Sequence, residues 1–108
     1  FEPVNQWCVE IVERFQNDHT IIFLTARSGS EYVKKITELW LDENMPATPY
    51  LLIMRHEDDR RADFLFKEDV FLKQIEPLYD VLFALDDKQA IVDLWRKLNI
   101  PALHCEAY

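Results

Sequence analysis

With 108 residues, 49% of them hydrophobic and 13% aromatic, the chain has the size and apolar content of one small folded domain, which excludes a disordered tail. A net charge of -8 argues against broad attraction to nucleic acid, which works through basic surface, so a polyanionic ligand would need a locally basic site. No apolar run approaches the roughly 20 residues of a membrane span, and no basic segment followed by an apolar one opens the sequence, so a soluble, cytoplasmic protein is expected.

The first predicted element is a helix whose apolar face is Val4, Trp7, Cys8, Ile11, Val12 and Phe15, with Pro3 suited to its first turn and Asn17-Asp18 to its exit. A β-branched and apolar strand follows over 20–25. It leads into Thr25-Ala26-Arg27-Ser28-Gly29-Ser30, which holds the chain's only glycine. Its hydroxyls and backbone N–H groups suit a phosphate, although the same residues are ordinary in turns and helix caps. The spacing of Tyr32, Val33, Ile36, Leu39 and Trp40 predicts a helix over 30–44, stopped by Pro46 and Pro49. A second buried strand, 50–54, ends at Arg55.

Between 55 and 67 lie Arg55, Arg60, Arg61 and Lys67, interleaved with Glu57, Asp58, Asp59 and Asp63. Composition alone favours a solvated mixed-charge loop here over a basic binding patch. A helix over 64–76 follows, with Phe66, Val70, Phe71 and Ile75 as its core side and Pro77 as its end. Next comes the apolar run Val81-Leu82-Phe83-Ala84-Leu85, which stops at Asp86-Asp87. A run without alternation suits a parallel strand buried on both faces, and the acids then sit where a strand ends and a helix begins. Two adjacent like charges need a cation or donors to compensate them, so the pair predicts a metal. A helix over 88–99, carrying Ala90, Ile91, Leu94, Trp95 and Leu98, and a short strand over 102–105 complete the chain. This alternation predicts a parallel sheet with helices on both faces and right-handed crossovers.

Cys8 and Cys105 lack metal or redox spacing and are expected to be free packing residues in a reducing compartment. His19, His56 and His104 form no constellation and are expected in structural or surface roles. Trp7, Trp40 and Trp95 all fall on apolar helix faces and are expected in the core.

The order of polar residues at strand ends and helix starts resembles the haloacid dehalogenase superfamily of phosphatases, and within it the 3'-phosphatase domains of phage polynucleotide kinases. The matching stretches are Ile21-Ile22-Phe23-Leu24-Thr25 with Arg27, Phe66-Lys67-Glu68-Asp69-Val70-Phe71, and Phe83-Ala84-Leu85-Asp86-Asp87 continuing through Val92-Asp93-Leu94-Trp95-Arg96. Arg55 and Asp63 fall where those domains place an arginine after the third strand and an acid four residues before the lysine. The resemblance implies a three-layer α/β sandwich with a parallel, Rossmann-like sheet across residues 1–108. It implies catalytic Thr25, Lys67 and Asp87, substrate-binding Arg27, Arg55 and Asp63, and Asp86 and Asp87 as ligands of Mg²⁺. In that scheme Lys67 neutralises phosphate and carboxylates, Thr25 donates to a phosphate oxygen, and Asp63 orients an arginine.

The superfamily's Asp-x-Asp, which supplies nucleophile and general acid, has no match in residues 1–18, and no Met stands at position 1. The expectation is therefore a fragment of a longer protein whose first central strand, between the strands over 20–25 and 81–85, is lost, disordered or supplied elsewhere. The expected function is Mg²⁺-dependent removal of 3'-phosphate from nucleic-acid ends through an aspartyl-phosphate, in repair, with a separate kinase domain in the full-length protein. The stretch between 42 and 67 is too short for a large cap, which favours an open site for a polymer end. The alternatives are a small-molecule phosphatase of the same superfamily and a non-catalytic interaction module.

Overall fold

The computed structural model describes residues 5–45 and 49–105. The chain divides into two units, Phe1–Arg60 and Arg61–Tyr108. In the first, helix α1, Gln6–Phe15, starts at Asn5, whose side chain accepts the backbone N–H of Trp7 at 3.2 Å. Cys8 and Val9 are its buried residues, while Trp7 is 41% exposed, so this indole does not occupy the core expected of it. Trp40 is half-buried and Trp95 is buried. Val4, Pro3 and Pro46 lie outside the described residues.

Strand β1, Ile22–Ser28, leads into helix α2, Glu31–Asn44. Ser30 caps that helix by accepting the Val33 N–H at 3.3 Å. Strand β2, Leu51–Arg55, runs parallel to β1 with Ile22 opposite Leu51 and Thr25 opposite Met54.

The second unit opens with helix α3, Asp63–Val70, which continues as a π-helical turn, Phe71–Ile75. The wider turn keeps Phe66, Val70, Phe71 and Ile75 all buried, the core side expected from the sequence. Strand β3, Ala84–Asp86, is shorter than the apolar run before it, and helix α4, Gln89–Lys97, follows. Ile91 and Val92 are nearly inaccessible there, and Phe71 meets Trp95 edge-on at 5.9 Å. Asn99, at φ 65°, turns the chain out of α4 into β4, Ala102–His104, which pairs in parallel with β3.

Among the described residues parallel α/β pairing is thus observed, as two sheets of two strands, β1-β2 and β3-β4. A further expectation is corrected. Neither cysteine is a free thiol: Cys8 and Cys105 are both disulfide-bonded, so the argument for a reducing compartment falls. Sequence spacing could not reveal this, because a disulfide depends on spatial approach and not on separation along the chain. No helix among the described residues is long and apolar enough to cross a membrane.

Candidate active site

Asp86 is the last residue of β3, and each of its carboxylate oxygens has a donor. Oδ2 accepts from Lys67 Nζ at 2.9 Å, and Oδ1 accepts the backbone N–H of Lys88 at 3.1 Å. The second bond spans two residues, an Asx turn that fixes the carboxylate against its own backbone. The Lys67 and Asp86 side chains are only 10% and 9% exposed. Charges buried to this degree are tolerated when paired, and a buried cation here has its counter-charge in hydrogen-bond contact.

Asp87 follows on the exposed side of the turn. Its carbonyl lies 3.0 Å from His104 Nε2; since a carbonyl only accepts, the imidazole proton sits on Nε2. The Cys105 N–H donates to the Asp86 carbonyl at 2.8 Å. Strand β4 therefore holds the backbone of both acids.

Asp63 lies four residues before Lys67, one turn away on the same side of α3. It accepts from Lys88 Nζ at 2.6 Å. The hydrogen bond to Asp63, together with the charges of Asp63, Asp87 and Asp86, outweighs desolvation and raises the Lys88 pKa above its ordinary 10.5. Lys88 is thus one partner of Asp63.

In the first unit, Thr25, Arg27 and Arg55 come together around an irregularity in the β1-β2 ladder. Thr25 stands opposite Met54, but the next paired residue on β1 is Ser28, opposite Arg55, so Ala26 and Arg27 are extra. Arg55 is 7% exposed and spans the bulge, donating from Nε to the Ala26 carbonyl at 2.9 Å. Its Nη1 lies 3.5 Å from the Asp59 carbonyl, a weaker contact. The Thr25 hydroxyl oxygen accepts the Arg27 N–H at 3.2 Å and keeps its own O–H as a donor. Arg27 is exposed. Gly29 donates to the Arg55 carbonyl at 2.5 Å, and a Cβ at Gly29 would lie 2.6 Å from that oxygen, so no other residue fits without movement.

As a donor set for Mg²⁺, Asp87 and Asp86 offer the hard oxygens such an ion takes, and Mg²⁺ commonly binds one or two carboxylates and retains water. No group of three or more His, Cys, Asp or Glu among the described residues is arranged for a metal, so these carboxylates are a partial set. Asp87 is the more exposed of the two, and Lys67 and the Lys88 amide both contact Asp86. Sequence reasoning missed Lys88 and His104. The Asp-x-Lys spacing of an Asx turn was a legible signal for the Lys88 amide; nothing in the sequence marked His104, whose reach to Asp87 depends on strand register.

The family described as polynucleotide kinase PNKP phosphatase domain matches residues 2–107. A protein of Autographa californica nuclear polyhedrosis virus, named as a bifunctional polynucleotide kinase/RNA ligase, is 31% identical over 87 residues, 81% of this chain. The aligned region is 12% of that relative's length. Its match and that of the family model place the chain in a defined group: it belongs to the polynucleotide kinase phosphatase domain family, of the haloacid dehalogenase-like type.

Proposed function

We propose that the domain removes 3'-phosphate from nucleic-acid ends in a Mg²⁺-dependent reaction. The observation that carries the reading is the buried Lys67–Asp86 contact at the end of a parallel strand, with Asp87 exposed beside it. A phosphate monoester repels an anionic nucleophile, so a site for its hydrolysis must present fixed positive charge and a place for a divalent cation together.

In this reading Asp87 holds the ion and Asp86 supports it, and bound Mg²⁺ supplies neutralisation of the phosphoryl oxygens. Lys67 contributes a cation held in place by Asp86, so no reorganisation is needed when phosphate arrives. Thr25 donates its hydroxyl to a phosphate oxygen. Arg27, exposed on the bulge, takes phosphate or the nucleic-acid backbone, and Arg55 supports that bulge from below. These 108 residues contain no Asp-x-Asp, and this reading takes the carboxylate that would attack phosphorus and become an aspartyl-phosphate from elsewhere in a longer protein. The name of the viral relative supports a kinase segment elsewhere in the full-length protein.

The test supplies the full chain with a 3'-phosphorylated oligonucleotide or a small phosphate monoester, with Mg²⁺ or with chelator. Phosphate released from the oligonucleotide only in Mg²⁺ is the expected result. Faster turnover of the small ester would make this a small-molecule phosphatase. No release from either, with Mg²⁺ present, would leave an interaction module.

A further inference from the structure

Asp87 is exposed, so packing does little to orient it, and the direction of its Cα–Cβ bond follows from the two peptide groups that flank its Cα. Both groups are tied to β4. In the peptide before Asp87, the Asp86 carbonyl accepts the Cys105 N–H at 2.8 Å. In the peptide after it, the Asp87 carbonyl accepts from His104 Nε2 at 3.0 Å. That second peptide is held at its other edge too, because its N–H, on Lys88, donates to Asp86 Oδ1 at 3.1 Å. A peptide group is planar, so bonds on opposite edges fix its orientation. Register explains the reach: His104 stands opposite Asp86 in the β3-β4 ladder, and its ring extends to the residue after it.

We propose that His104 is a positioning residue that acts through the Asp87–Lys88 peptide and holds the Asp87 carboxylate in the orientation that takes Mg²⁺. The Cys105 bond is main chain and forms whatever side chain stands there, whereas the bond to the Asp87 carbonyl exists because residue 104 carries a ring N–H. Groups that orient a metal-binding carboxylate from behind act on affinity for the ion more than on substrate, because they fix the ligand before the ion arrives. This assignment rests on the phosphatase reading above.

The test compares the full chain with His104→Leu, which fills the place without a donor, and His104→Gln, whose amide N–H restores one. Mg²⁺ binding is read by calorimetry beside phosphate release from a 3'-phosphorylated oligonucleotide. His104→Leu weakens Mg²⁺ binding about tenfold and slows turnover in proportion at subsaturating Mg²⁺, whereas His104→Gln stays within about threefold of wild type. KM for the oligonucleotide in saturating Mg²⁺ moves by less than about twofold in both. Unchanged Mg²⁺ binding in His104→Leu, or a loss in His104→Gln as large as in His104→Leu, would overturn the proposal. Amide hydrogen exchange at Lys88 reads the clamp without metal: it is faster in His104→Leu than in wild type and restored in His104→Gln. Should His104→Leu not fold, His104→Ala replaces it in each comparison. Should wild type release no phosphate, the phosphatase reading fails by itself, and exchange then decides the clamp: an equal rate at Lys88 in wild type and His104→Leu would overturn it.

Discussion

Lys67 keeps its ammonium at a tenth of full exposure because Asp86 meets it inside the fold. Such a pair is no large source of stability, but removing one partner strands the other. Lys67→Met is therefore expected to cost about 3–5 kcal/mol, measured by urea unfolding, by leaving Asp86 buried without its counter-charge. The Lys88–Asp63 pair behaves differently with pH. A lysine whose pKa is raised on folding contributes stability that is fully present below its ordinary value of 10.5 and is lost as pH rises through the higher folded value. The difference in Tm between wild type and Lys88→Met should thus be constant from neutral pH to about pH 10 and shrink above it. At this scale Lys67, Asp86 and Asp87 were legible because strand ends and helix starts are visible in apolar patterning. Lys88 was not, since a charged residue after a strand looks like any solvated one until its partner on α3 is known.

Elements were read well where their periodicity was strong. The core side of α3 emerged from spacing alone, and α2 and α4 closely match their predicted ranges. The π-helical turn was not read from the sequence, because the residue types of a π turn are those of an α-helix and what differs is the hydrogen-bond step. The bulge in β1 was equally hidden: sequence placed Thr25 at a strand end, whereas the strand continues to Ser28 around two extra residues. Gly29 is the point where that arrangement is tightest. Gly29→Ala is expected to lower stability by about 1–3 kcal/mol, as the new methyl forces the Arg55 carbonyl away, with a fall in Tm as the readout. Asn99 offers the opposite change. At its positive φ, Asn99→Gly should raise stability by several tenths of a kcal/mol, whereas Asn99→Val should lower it.

Across the whole molecule, composition fixed the α/β alternation, but not how strands pair or how sulfur is used. Strand order depends on contacts distant in sequence, and the bonded state of a cysteine is not encoded in sequence spacing. Because neither thiol is free, reductant should lower the Tm, and a Cys8→Ser variant should melt as reduced wild type does. The net charge of -8 also has a consequence. A substrate strand gripped through few cations releases few counterions, so KM for an oligonucleotide should rise only shallowly with salt. The most direct test of the central claim is phosphate release from a 3'-phosphorylated oligonucleotide by Asp87→Asn against wild type, across a Mg²⁺ titration. The account predicts wild-type turnover that saturates with Mg²⁺ and a loss in the variant of at least about a hundredfold. Near-normal turnover by the variant would contradict it.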